Sequence, residues 1–219
     1  MARGGPKKPS SEREKLKPVD KEMWKPKTRI GIMVKAGEIT SLEQIIDMGK
    51  PVLEPEIIDV LLPDMEYVNL EVRSTQRVTD SGKRTKFRVL VVIGDSKGHV
   101  GLGVGKSEEL RPAMDYAVRD AKKHVISVNM GCGSWECRCH KTHSVPRMSF
   151  GKEGSTIVKL KPAPRGLGLA ASDVVKKVLG IAGVKDVWSQ VLGCSNTYNV
   201  ASATMKALDS INMIRPPAE

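Results

Sequence analysis

The sequence has few aromatic residues and no long apolar segment. Aromatic side chains make up 4% of its 219 residues, which leaves few surfaces on which unpaired bases could stack. This scarcity argues against a reader of single-stranded nucleic acid. No run of about 18 apolar residues could span a bilayer, and the N-terminus lacks the apolar core of a signal peptide. We therefore expect a cytoplasmic chain with no membrane partner.

Positive charge is present in excess. Lys and Arg total 36 against 25 Asp and Glu, so the formal net charge is +11 and the pI is about 9.6. Such an excess favours polyanions, and nucleic acid is the expected partner. Residues 1–29 hold ten basic and four acidic residues, so six units of the +11 lie there. With four prolines as well, this segment is predicted to be a basic, flexible tail that becomes ordered on a partner.

Residues 30–64 are predicted to form a helical extension with two short helices. Thr40 followed by Glu43 matches a capping box, and Pro55 suits the first turn of the second helix.

Residues 65–128 are predicted to form an α+β domain of helices and three strands. In the first strand, 66–78, Val68, Leu70 and Val72 face one side, and a basic face lies opposite. The run Phe87–Ile93 is apolar on both faces, which is typical of a central strand. A long helix is predicted to start at Ser107.

Residues 143–215 are predicted to form a second α+β domain, which follows a Cys-rich linker at 129–142. Its expected elements, in chain order, are strands near 143–150 and 155–161, a helix capped by Ser172 and stopped by Gly183, a strand at 186–192 and a last helix carrying Val200 to Ile211.

A glycine-rich string, Gly98–Ser107, precedes the long helix. Val100 stands where a phosphate-binding Walker loop needs glycine, and the glycine spacing does not match GxGxxG either. The glycines would let a strand approach a partner backbone closely. Lys106 and the helix start at Ser107 could then hold an RNA phosphate. The alternative is a tight turn without a ligand.

The linker contains a candidate zinc site made of Cys132, Cys137, Cys139 and His143. Three thiolates and an imidazole can fill a tetrahedral site, although the spacing CxxxxCxC is not the usual paired CxxC. The alternative is a rigid basic loop with small buried thiols that presents Arg138 and Lys141 to RNA. No nucleophile motif accompanies the four histidines, so we expect no enzyme activity.

Several long strings together resemble the family of small-subunit ribosomal protein five, in its archaeal and eukaryotic form. In the first domain they are Val100–Ser107 and Asp120–Lys123, and the archaeal type is marked by Gly131–Cys137 and His143–Pro146. In the second domain they are Pro162–Gly166 and Ile181–Trp188. The resemblance covers about residues 28–215.

The resemblance implies a double-stranded-RNA-binding-like domain (α-β-β-β-α) followed by a ribosomal β-α-β-α domain. Family members bind small-subunit rRNA near the body–head junction and touch small-subunit proteins four and eight. They also line the path by which mRNA enters and contribute to translational accuracy. The family's rRNA-contacting hairpin corresponds to Thr79–Arg88.

We therefore predict a structural, non-catalytic constituent of the small ribosomal subunit that requires no cofactor. The predicted RNA-binding residues are Arg73, Arg77, Lys83, Arg84, Lys86 and Arg88, with Lys106, Arg138 and Arg165 as second choices. Two alternatives are a free-standing regulator that binds double-stranded RNA and a zinc-dependent RNA-modifying enzyme.

Overall fold

The structure, a computed structural model, describes residues 13–16, 24–137, 139 and 141–212. In its N-terminal part the elements are β1 (Glu14–Lys15), α1 (Arg29–Ala36), α2 (Leu42–Asp47), α3 (Glu56–Leu61), β2 (Glu66–Thr79), β3 (Gly82–Gly94), β4 (His99–Ser107), α4 (Leu110–Lys123) and β5 (Val125–Ser127). In its C-terminal part they are β6 (Ser149–Glu153), β7 (Thr156–Pro162), β8 (Leu169–Ala170), α5 (Asp173–Ala182), β9 (Val187–Leu192) and α6 (Thr197–Asn212). The predicted α+β class is confirmed.

The strands form two sheets. The first has the order β1-β2-β3-β4-β5 and is antiparallel, and the second has the order β6-β7-β9-β8. β8 and β9 run parallel, which requires a crossover, and α5 supplies it. The longest helix in the described ranges, α6, has 16 residues, and none there is long and apolar enough to cross a membrane.

The inner part of β3, from Val89 to Ile93, is buried on both faces, as its apolar run predicts. Val89, Val91 and Ile93 pack with the alanines of α4. Leu90 and Val92 point the other way and share a core with α5 and α6. Because one strand contributes to both cores, the C-terminal part packs directly on the first sheet.

The glycines of β4 allow close contact between this strand and α4. A Cβ placed on Gly103 would lie 2.2 Å from both the carbonyl oxygen of Ala117 and the amide nitrogen of Ala121. Gly101 and Gly105 meet α4 in the same way. The close partner of this string is therefore a helix of the same chain, and glycine is required because any side chain would push α4 off the sheet.

The structure departs from the predicted tail and extension at residues that it describes. Glu14–Lys15 pairs with β2, and Trp24 is buried. The Glu54 carboxylate accepts hydrogen bonds from the Trp24 indole and from the backbone N–H groups of Lys27 and Thr28. The Thr28 hydroxyl accepts the Gly31 N–H and so caps an unpredicted helix, α1. Most of the predicted tail, 1–29, lies outside the described residues, as does the end of the predicted second domain.

Two predicted helix starts are wrong. α2 begins at Leu42 after Ser41, and the side chain of Gln44, rather than Glu43, accepts the Thr40 N–H, so the capping box does not form. α4 begins at Leu110, because Ser107 is still paired with Phe87 as the last residue of β4.

Candidate RNA-binding hairpin and cysteine–histidine cluster

The β2–β3 hairpin extends beyond the body of the first sheet. We call residues 71–88 the outer hairpin; its side chains at 72–84 are all exposed. The tip is a turn in which the Thr79 hydroxyl donates to the carbonyl of Gly82. All six first-choice RNA-binding residues lie in this segment.

A β-bulge decides which way these side chains point. Asn69 is opposite Val91 and Glu71 is opposite Leu90, so Leu70 is the extra residue. A bulge reverses the alternation beyond it. The predicted apolar face of Val68, Leu70 and Val72 is therefore wrong at Val72, which is 38% exposed. Beyond the bulge, the face of α5 and α6 carries Arg73, Arg77 and the residues opposite them, together with Glu71 and Thr75.

Cations lie directly opposite one another on this face. Arg73 is opposite Arg88, which is opposite Lys106 on β4, and Arg77 is opposite Arg84. Lys86 shares the face through its partner Thr75, whereas Lys83 pairs with Val78 on the other face. We call Arg73, Arg77, Arg84, Lys86, Arg88 and Lys106 the basic face. Like charges directly opposite destabilise a sheet, so this arrangement favours an anionic partner.

Few of these charges are neutralised within the chain. Glu71 pairs with Arg73, and Glu108 lies 3.4 Å from Arg84. The guanidinium of Arg88 lies 5.4 Å from the ring centroid of Tyr198 on α6, a cation–π contact. Among the described residues, Arg77, Lys83 and Lys86 make no ion pair. Sequence reasoning missed Tyr198, because no local pattern links it to β3.

The start of α4 does not hold a phosphate site of the predicted kind. Ser107 belongs to β4, and two acids, Glu108 and Glu109, precede the first helical residue. Negative side chains compete with an anion at a helix N-terminus. Lys106 therefore contributes as a member of the basic face.

The four zinc candidates converge in space. The ligand atoms of Cys132, Cys137, Cys139 and His143 all lie within 4.8 Å of one another. The sulfurs of Cys132 and Cys139 are 3.6 Å apart. His143 Nε2 lies 3.3 Å from the Cys132 sulfur and 3.7 Å from the Cys137 sulfur. The fold thus brings together residues whose spacing alone is unusual for a metal site.

A buried carboxylate supports the histidine. Asp186 Oδ2 lies 2.8 Å from His143 Nδ1, and Asp186 Oδ1 accepts the backbone N–H groups of Gly166 and Gly168. These glycines belong to the turn at 164–168, in which the second-choice residue Arg165 is exposed. Asp186 lies 43 residues from His143, so no spacing rule could have linked them. Arg138 is outside the described residues.

Two thiols of the cluster differ in pKa. Burial and the neighbouring thiols of Cys139 and Cys137 raise the pKa of Cys132 to about 11. The neighbouring Cys139 thiol and the backbone N–H of Arg165 lower the pKa of Cys137 to about 6. The lowered pKa of Cys137 favours its thiolate, which is the form that binds a metal.

A basic, exposed hairpin on a two-part α+β body is consistent with an RNA-binding protein. The family model for the ribosomal protein S5 N-terminal domain matches residues 65–129, and that for the C-terminal domain matches 151–218. The chain belongs to the ribosomal protein S5 family. This confirms the predicted resemblance.

Curated relatives cover most of the chain. The "Small ribosomal subunit protein uS5" of Methanocaldococcus jannaschii is 52% identical over 193 residues, which are 88% of this chain and 89% of that protein. The protein of the same name from Staphylothermus marinus is 51% identical, over 85% of this chain and 88% of its own. That from Methanococcus maripaludis is 48% identical over 95% and 91%.

These matches decide between the predicted classes. The ribosomal protein S5 family is structural and non-enzymatic, so the predicted absence of enzyme activity and the ribosomal location are confirmed. The comparisons support neither the free-standing regulator nor the RNA-modifying enzyme.

Proposed function

We propose that the chain is a structural constituent of the small ribosomal subunit and that its basic face binds small-subunit rRNA near the body–head junction. The observation that carries this proposal is the row of Arg73, Arg88 and Lys106 across three strands. Opposed cations stabilise neither strand pair, but they match the closely spaced phosphates of an RNA backbone.

Binding of this kind needs no reaction and no cofactor. Each Lys or Arg that contacts a phosphate releases a condensed counterion, so affinity falls as salt rises. Backbone contacts of this kind position the protein on RNA without reading sequence. Arg supplies a planar fork that suits phosphate oxygens, and four of the six residues in the basic face are Arg.

We infer that the N-terminal domain is double-stranded-RNA-binding-like and that the C-terminal domain is of the ribosomal β-α-β-α type. The order α3-β2-β3-β4-α4 supports the first inference. The crossover from β8 through α5 to β9 supports the second.

The proposal also assigns contacts to surfaces outside the basic face. Arg165 and Arg138 are further candidate RNA contacts, one on the 164–168 turn and one in the Cys-rich loop. The less basic surfaces are available for small-subunit proteins four and eight, and for a place on the path by which mRNA enters. Contacts at that path would account for a contribution to translational accuracy.

The proposal is tested by reversing three charges on one face. We expect Arg77→Glu, Arg84→Glu and Lys86→Glu together to block incorporation into the small subunit. The salt dependence of binding to small-subunit rRNA should fall by about three units of slope, one for each lost phosphate contact. Because Arg77 and Arg84 remain a like-charged pair after reversal, the hairpin itself should stay folded. Sedimentation of the tagged chain measures incorporation.

A matched control changes the same charge elsewhere. Lys50→Glu, Lys161→Glu and Lys176→Glu alter three exposed lysines outside the outer hairpin. This variant should sediment with small subunits as the parent does. Normal incorporation of the folded hairpin variant would contradict the proposal, and a parent chain that stays free of subunits at moderate salt would favour a regulator.

A further inference from the structure

The cysteine–histidine cluster has the dimensions of a tetrahedral metal site. With zinc–sulfur bonds of about 2.3 Å, ligand atoms at the corners of a tetrahedron lie about 3.8 Å apart. Sulfur atoms of Cys132 and Cys139 are separated by 3.6 Å, and His143 Nε2 lies 3.3 and 3.7 Å from two of the sulfurs. These three separations are close to the tetrahedral value, and all four ligand atoms lie within 4.8 Å of one another.

The histidine is prepared for metal binding by its hydrogen bond. The Asp186 carboxylate lies 2.8 Å from His143 Nδ1, and an Nδ1–H donated to it leaves the Nε2 lone pair for a metal on the side of the thiols. A carboxylate behind a ligating histidine is the usual support of a zinc site. Asp186 is itself held by two backbone N–H groups, so the whole chain of contacts is ordered.

Among its described residues, the loop at 131–142 buries no large apolar side chain. Its large hydrophobic residue, Trp135, is 90% exposed, and so adds no core. Gly133 lies against the backbone of Pro146 so closely that a Cβ there would be 1.9 Å from the Pro146 oxygen. A loop held this tightly without a core of its own needs another source of stability, and a metal ion supplies one.

We propose that Cys132, Cys137, Cys139 and His143 bind one structural zinc ion. Three thiolates and one imidazole are the donor set that zinc prefers, and the four ligands leave no open position for catalysis. Binding releases the thiol protons and involves no change of oxidation state.

The zinc centre also positions Arg165, an inference that rests on the proposed RNA contact of this residue. The Arg165 N–H donates to the Cys137 sulfur, and Asp186 accepts from Gly166 and Gly168. The 164–168 turn is thus bonded to the ligand Cys137 and to Asp186, which in turn contacts the ligand His143. Loss of the metal frees both attachments.

Metal analysis of the full-length chain, purified without chelator, tests the site. We expect one zinc ion per chain in the parent and in Cys194→Ser, whose thiol is exposed and outside the cluster. Cys132→Ser should lose the metal, and Asp186→Asn should bind it about 10–100-fold more weakly. Since Cys132→Ser could fail to fold, Co²⁺ is added to the metal-free parent, where a tetrahedral thiolate spectrum is expected.

Three outcomes would overturn the zinc site. They are a folded parent with no metal and no Co²⁺ spectrum, a mass two units lower that reports a disulfide between Cys132 and Cys139, and stoichiometric iron in place of zinc.

Amide hydrogen exchange tests the positioning of Arg165. Removing zinc with a chelator should raise exchange at Gly166 and Gly168 by about tenfold or more, because their acceptor is released. RNA binding through the outer hairpin should persist, so the charge-reversal experiment still reads the proposed function separately. If the chain binds zinc but the exchange of Gly166 and Gly168 does not change when zinc is removed, then the zinc centre does not hold the 164–168 turn.

Discussion

The inner and outer parts of the β2–β3 hairpin use the same two strands for different purposes. In the inner part, Val89 to Ile93 lie between α4 on one face and the C-terminal helices on the other. In the outer part the same strands carry cations opposite cations, and the side chains at 72–84 are exposed. The single bulge at Leu70 separates the two, because it turns the basic residues onto one face.

This difference indicates that stability and RNA binding are separable in this chain. Substitutions around the inner part should change unfolding and leave binding intact in whatever remains folded. Substitutions in the outer part should do the reverse. The following variants test that separation.

The largest expected effect is the loss of a buried ion pair behind the inner part. Lys122 on α4 lies 2.6 Å from Asp59 on α3, and both are buried. Asp59→Ala would leave the Lys122 charge buried and unpaired, which costs about 3–5 kcal/mol. Urea unfolding measures the loss. In the outer part, Glu108→Ala removes the exposed partner of Arg84 and should cost less than about 1 kcal/mol.

If Asp59→Ala lowers the free energy of unfolding by less than about 1 kcal/mol, then water reaches the Lys122 ammonium group, and this charge is more solvated than its burial indicates.

The next effect concerns the contact between β4 and α4. In Gly103→Ala the new methyl group would meet two backbone atoms of α4 at 2.2 Å, so the helix must move, at a cost of about 3 kcal/mol. Gly180→Ala is the matched control. A Cβ there meets only the Arg13 side chain at 3.7 Å, and alanine favours the helix by about 1 kcal/mol. Denaturant midpoints of the two variants should therefore move in opposite directions.

Equal stability of Gly103→Ala and the parent would contradict the close approach of α4 to β4. It would leave the glycines of Gly98–Ser107 free to approach the backbone of a binding partner, as the glycine-rich sequence first suggested.

For the inner part of the hairpin, the sequence predicted both the strand and its burial. For the outer part, it predicted which residues are basic but not which way they point. An apolar run with no alternation is typical of a strand buried on both faces, so β3 was predictable. The bulge was not, because it depends on how two strands align. The six first-choice RNA-binding residues lie together in the outer hairpin, and their contact with RNA stays a prediction. Their division into two faces needed the pairing of Arg77 with Arg84.

The cysteine–histidine cluster shows a similar limit. Its four ligand candidates could be selected from residue type alone. Their convergence, and the part played by Asp186, depend on contacts between a linker and a strand far along the chain. Local signals also failed at Ser107, because a residue suited to helix capping was held in β4 by its pairing with Phe87.

The smallest expected effect is also the most direct test of the comparison. Arg77 is exposed and lies opposite Arg84, so Arg77→Gln removes one side of a repulsive pair. The free protein should become more stable by about 0.2–1 kcal/mol at low salt. At about 1 M salt, where charges are screened beyond about 3 Å, the gain should vanish. The same substitution should reduce the salt slope of rRNA binding by about one.

A gain in stability together with a loss of rRNA binding would show that the repulsion between Arg77 and Arg84 destabilises the free protein and that Arg77 contributes to binding. If Arg77→Gln instead destabilises the free chain, then Arg77 supports the fold, and the two parts of the hairpin are not separable in the way proposed. Urea titrations at the two salt concentrations and filter binding to small-subunit rRNA distinguish these results. Lys50→Gln, outside the outer hairpin, should change neither quantity and so controls for the loss of one charge.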